Sequence, residues 1–146
     1  MKKNALFIVF MIAILCIASC KKKFGTIDDQ QPGALLGKNW KLTAYTMDGI
    51  DSYDATYDDC EQDNIQTFLA NGTYKVDEGP LKCNEDDPQL YDAGSWEIKN
   101  NTITFSEEGF ALQLKATILT LSAKTLKYSL KNPLGTETLV YTYTAQ

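Results

Sequence analysis

Four cysteines, eight tyrosines and nineteen carboxylates carry the chemistry open to this 146-residue chain, which has neither histidine nor arginine. Without imidazole there is no Ser-His-Asp or Cys-His pair and no histidine metal site. Without guanidinium there is no bidentate clamp for phosphate or carboxylate. The cysteines divide by position. Cys20 follows Ile17-Ala18-Ser19, which closes an apolar run from Ala5 to Ala18 behind a basic Met1-Lys2-Lys3 start. A basic start, an apolar middle and small residues before the cut make an export signal. Cys20 at that cut is expected to take a diacylglyceryl thioether and become the first residue of the mature chain. A retained transmembrane helix is the alternative reading, but fourteen apolar residues fall short of the roughly 20 that cross a bilayer.

Residues 1–19 are thus read as a lipoprotein signal peptide, 20–34 as a lipidated flexible tether and 35–146 as one domain. At about 0.8 kcal/mol per buried methylene, two or three acyl chains would hold the chain firmly to a membrane. Lys21-Lys22-Lys23 follows the anchor with no acid until Asp28. This lacks the acidic tract associated with surface display, so a cell-envelope location on the outer membrane, facing the periplasm, is expected. Cys16 leaves with the signal, so Cys60 and Cys83 remain. An even pair in an exported chain reads as one disulfide.

Loss of the two signal lysines leaves twelve lysines against nineteen acids, a net charge of about −7. Such a domain repels a phosphate backbone, so nucleic acid is excluded as a partner. Fourteen of the nineteen acids fall on or beside four connecting segments, densest at Asp58-Asp59 and Asp86-Asp87, with Tyr53, Tyr57 and Tyr91 interleaved. A solvated rim explains the acids. Cation selection explains them too, either of calcium or of an organic amine cupped by the tyrosines. The spacing matches no calcium loop, and neither a metal nor a cofactor is expected. A fatty-acid carrier is disfavoured because its carboxylate would have to pass this charge. No local pattern sets a carboxylate pair in a pocket with a raised pKa, so an enzyme is not expected.

From Lys38 onward apolar residues recur at every second position, as in Trp40-Leu42-Ala44, Ile103-Phe105 and Leu139-Tyr141-Tyr143. That period places one face of each extended segment inward. Turn residues divide the run into eight strands near 38–47, 64–70, 73–79, 93–99, 102–106, 112–121, 125–131 and 137–144. Short turns at Asn71-Gly72, Asn100-Asn101 and Ser122-Ala123-Lys124 alternate with longer connections at 48–63, 80–92, 107–111 and 132–136. In an up-and-down antiparallel order every short turn then lies at one end and every longer loop at the other. The expected fold is an all-β, eight-stranded antiparallel barrel with a plain floor and an elaborated mouth. If Asn71-Gly72 is a two-residue turn, Ala70 faces Thr73 and the same register sets Cys60 opposite Cys83, within disulfide reach. Such a bond would contribute roughly 3.4 kcal/mol by the chain-entropy estimate.

The stretch Leu36-Gly37-Lys38-Asn39-Trp40 resembles the Gly-x-Trp start of lipocalins. Thr67-Phe68, Asn71-Gly72-Thr73-Tyr74, Glu78-Gly79, Cys83, Gly94-Ser95-Trp96 and Thr102-Ile103-Thr104-Phe105 resemble the bacterial lipocalin-like lipoprotein domains. The resemblance covers about residues 35–146 and implies the barrel. Its departures are one extra residue between Gly37 and Trp40 and no arginine to cover the indole. Trp40, Trp96, Phe68 and Phe105 are read as core. Ala44, Thr46, Gly94 and Ala116 are expected to leave room for a cavity if they face inward. The expected function is binding of a small apolar or cationic ligand, or a peptide, by a monomer at the mouth residues Tyr53, Tyr57, Asp58, Asp59, Asp86, Asp87 and Tyr91. The alternative is an inhibitor or accessory subunit that docks a basic partner on the acidic loops. An interior of several hundred Å³ would favour the ligand, and a filled interior the partner.

Overall fold

The computed structural model describes residues 32–107 and 113–146. Cys20, the signal segment and most of the tether lie outside the described residues. Eight long strands form one antiparallel sheet: β1 (Asn39–Met47), β3 (Ile65–Phe68), β4 (Thr73–Asp77), β5 (Leu90–Lys99), β6 (Thr102–Ser106), β7 (Gln113–Leu121), β8 (Thr125–Lys131) and β9 (Thr138–Ala145). Neighbours in sequence pair in order, and β1 pairs β9 from Trp40↔Ala145 to Met47↔Leu139, which closes the barrel. A ninth strand, β2 (Ile50–Asp51), folds back on the end of β1. It occupies the edge that β3 leaves, since β1 and β3 pair only from Asn39 to Lys41. Two single-turn helices, α1 (Tyr53–Thr56) and α2 (Asp59–Gln62), follow β2 and bridge that divergence.

The floor is filled. Leu35, Trp40, Phe68, Ile103, Ala116, Ile118 and Leu126 are all buried, and each large apolar side chain so placed contributes about 1.5–3 kcal/mol. A 3-10 turn at Pro32–Ala34 delivers Leu35 under the barrel, where its carbonyl accepts the indole N–H of Trp40 at 3.0 Å. The missing arginine has a substitute: the ammonium of Lys38 lies 5.5 Å from the centre of the Trp40 ring.

Short turns and longer loops segregate to opposite ends as expected, but three details differ. The hairpin after β3 is one residue longer than a two-residue turn. Leu69 N–H donates to Thr73 O at 2.9 Å and Gly72 N–H to Leu69 O at 3.0 Å, and Phe68 faces Tyr74. Gly72 takes φ +82°, a left-handed conformation that glycine tolerates, while the Asn71 carboxamide oxygen accepts both the N–H and the hydroxyl of Thr73. Secondly, β1 has a bulge at Thr43, between the pairs Leu42↔Tyr143 and Ala44↔Thr142. An extra residue reverses the faces beyond it, so Tyr45 is buried where Ala44 and Thr46 were expected. Thirdly, Ala116 packs in the floor opposite Ile103, and Gly94 lies so close to β6 that a Cβ there would meet Ser106 O at 2.2 Å. None of these four small residues opens the interior.

Candidate functional site

Space in the mouth half is bounded by tyrosine. Strand alternation aims Tyr74, Phe105, Leu114, Tyr128, Leu130, Leu139, Tyr141 and Tyr143 at a cavity of about 380 Å³, with Gln66, Asn132 and Pro133 completing its wall. A second cavity of about 400 Å³ shares Gln66 and Tyr143 with the first and adds Leu42, Tyr57, Glu61, Asn64, Val76, Tyr91 and Glu107. The first is apolar and carries no charged side chain. The second is polar, and its charged side chains are both glutamates.

An aromatic column links floor to mouth. Phe68 lies 6.3 Å from Phe105, Phe105 lies 5.5 Å from Tyr128, and Tyr128 stacks on Tyr141 at 5.2 Å. Tyr141 then meets Tyr45 at 5.0 Å, and Tyr45 meets Tyr57 edge-on at 5.5 Å. Such offset and edge-on pairs add about 0.5–1.5 kcal/mol each beyond burial. Burial holds these hydroxyls neutral. It raises Tyr128 well above the ordinary phenol value, aided by the neighbouring Tyr143. Tyr143 is itself pushed up by burial to about 12, and Tyr57 is raised by burial and by Tyr141 and Tyr143. The hydroxyls pair, Tyr57 with Tyr141 and Tyr128 with Tyr143, and a phenol oxygen so paired can still accept a bond from a guest.

The connections supply the upper wall. Glu61 accepts from the backbone N–H of Asp58 at 2.9 Å and so caps the first turn of α2. The Asn64 amide, oriented with its nitrogen inward, donates to Cys60 O at 3.1 Å and Glu78 O at 2.9 Å. Leu81 N–H donates to a carboxylate oxygen of Asp63 at 2.9 Å. These bonds press α2 against the 78–89 connection, and the Cys60–Cys83 disulfide joins the two with Cα atoms 5.1 Å apart. The bond therefore exists without the strand register expected to create it, because Cys60 sits on a helix. Asp77 anchors the base of the same connection. Gln89 and the Gly79 N–H bond to it and hold its carboxyl below the ordinary value.

The residues singled out from sequence separate into two groups. Tyr57 and Tyr91 line the upper cavity. Tyr53 supports Tyr57 from outside, at 5.8 Å between rings, and donates its hydroxyl to Leu42 O at 2.8 Å. Asp58 and Asp59 border an external groove with Cys60, Leu81 and Lys82. Asp86 and Asp87 serve their own loop: Asn84 bonds to both, and the Lys82 ammonium donates to Asp87 O. Glu78 and Glu107 were not singled out. Glu78 is 7 % exposed, and hydrogen bonding to it raises Tyr91, after burial and the repulsion of its charge. Continuing each inward register one step past its strand would have found them, as Tyr74-Val76-Glu78 and Ile103-Phe105-Glu107. Among the described residues no group of three or more cysteine and carboxylate ligands could hold a metal ion.

Compared with known families, residues 35–128 match the model of a lipocalin-like domain. No curated protein matches the chain.

Proposed function

The chain belongs to the lipocalin-like domain family, a barrel suited in general to small ligands, and from that premise we propose a lipid-anchored cell-envelope protein that binds a small apolar or cationic ligand, or a peptide, in the barrel mouth. The observation that carries this reading is the open, apolar space of about 380 Å³ above a filled floor, a volume typical of small-molecule sites. A binding role rather than an enzymatic one fits a wall of neutral phenols with no nucleophile–base pair. Export and anchoring rest on the signal and Cys20. Because the chain enters at the floor, the anchor would lie at the pole opposite the opening, and the mouth would face the periplasm.

Native mass spectrometry of the protein purified from its host's membranes tests the binding. A mass beyond that of the acylated chain is expected, and it should vanish in Leu130→Trp, which fills the cavity. A single ligand-free mass in the unaltered protein would sink the reading. Anchoring is tested by Cys20→Ser, which should leave uncleaved chain outside the detergent phase.

A second reading, docking of a basic partner protein, is favoured by one observation. Ile50, Leu81, Leu90 and Leu134 are exposed apolar side chains of the mouth connections, at 71, 56, 52 and 96 %. Co-purification of a stoichiometric basic protein with an empty barrel would replace the first reading by this one.

A further inference from the structure

The two cavities differ in a way that selects among ligands. Among the described residues the apolar one presents aromatic rings, leucines, a proline and neutral amides, with no charge of either sign. The upper, polar one, which adjoins it at Gln66 and Tyr143, presents Glu61 and Glu107 beside the rings of Tyr57, Tyr91 and Tyr143. Glu78 is buried and hydrogen-bonded to Tyr91, and the charges of Glu78, Asp87 and Glu107 all act on that phenol. Among the described residues no lysine lines either cavity. A guest occupying both compartments would set one end among apolar surfaces and the other among carboxylates and ring faces. A carboxylate head would be repelled there, and an uncharged head would leave the acids to water. An ammonium head gains from both the carboxylates and the negative ring faces.

We propose that the ligand is an amphipathic organic ammonium compound, its apolar body in the apolar cavity and its cationic head in the upper, polar one between Glu61, Glu107 and the rings of Tyr57 and Tyr91. This assignment rests on the ligand-binding reading above, whose space it divides. Glu61 and Glu107 set specificity, and Glu78 holds Tyr91 in place through their hydrogen bond.

The test uses three probes of one shape: 4-phenylbutylammonium, 4-phenylbutanol and 4-phenylbutanoate. Each is titrated calorimetrically into the full acylated chain in phosphatidylcholine nanodiscs, with empty nanodiscs subtracted. The ammonium should bind about tenfold tighter than the alcohol, with the carboxylate weakest, and the gap should narrow as salt is raised. In the double variant Glu61→Gln, Glu107→Gln the ammonium should fall to the level that the alcohol shows in the same variant. Glutamine at position 61 can still cap α2, and a thermal melt verifies the fold. Should the double variant fail to fold, the salt dependence and the order of the three probes in the unaltered protein decide alone. Alcohol and ammonium binding equally, or the carboxylate binding best, overturns the charge assignment while leaving a ligand site. Failure of all three probes at millimolar concentration overturns the ammonium assignment, and the host-derived mass then decides separately whether any ligand site exists.

Discussion

At the scale of single residues, the interior depends on phenols kept from ionising. All eight tyrosines of the sequence line the mouth cavities or touch those that do. The apolar half of this interior was legible, since Leu126-Tyr128-Leu130 and Leu139-Tyr141-Tyr143 alternate without interruption and face inward as read. Glu78 and Glu107 were legible only by carrying the inward registers Tyr74-Val76 and Ile103-Phe105 two residues further, because a mouth carboxylate otherwise looks in sequence like any loop acid. Burial raises Tyr143 from 10.0 to about 12. A raised folded-state pKa means that the folded chain holds the proton more tightly than the unfolded one. Its contribution to stability is then complete below about pH 10 and lost as pH rises toward about 12. Alkaline titration followed by phenolate absorbance should show the tyrosines ionising in more than one step, all above the ordinary value. Tyr128 and Tyr143 should ionise only in step with loss of the β-sheet signal. A single transition of all eight near pH 10 would contradict this.

At the scale of elements, the bulge at Thr43 decides which side of β1 faces in. Strand positions were readable from period two, and eight of the nine strands stand within a few residues of expectation. The bulge was not readable, because Thr43 differs in no sequence property from the other threonines that punctuate these strands. Its energetic reason lies across the barrel. Tyr45 inside gains Tyr57 and Tyr141 as ring partners, whereas Ala44 would leave a void. Insertion of one residue between Ala44 and Tyr45 should turn Tyr45 outward and cost about 2–4 kcal/mol, the scale of a large core truncation. Urea unfolding measures the loss, and a weakened near-ultraviolet circular dichroism band would report the broken aromatic column. Deletion of Thr43, which leaves Tyr45 opposite Tyr141 in a regular ladder, should be far less damaging, and Thr43→Ser should be nearly neutral.

At the scale of the whole molecule, the barrel has a solid pole and a hollow one, and the disulfide belongs to the hollow one. Cys60→Ala with Cys83→Ala should lower stability by roughly 3.4 kcal/mol, lowering the melting temperature by about 10 °C. Hydrogen exchange should rise in the 59–63 and 78–89 segments while the amide of Trp40 stays protected. Equal loosening at both poles would show the bond to be a global constraint. The solid pole has a further property. The Gln146 N–H donates to Asn39 O at 2.8 Å, so the two ends of the barrel leave it side by side. Tension applied between those ends peels β9 from β1 one rung at a time. Tension applied between the N-terminal segment and a load held in the mouth runs along β1 and shears its whole ladder at once. Optical-tweezer attachments at Pro32 and Lys82 should therefore rupture at higher force than attachments at Pro32 and Gln146, making the barrel strongest along the line from tether to cargo.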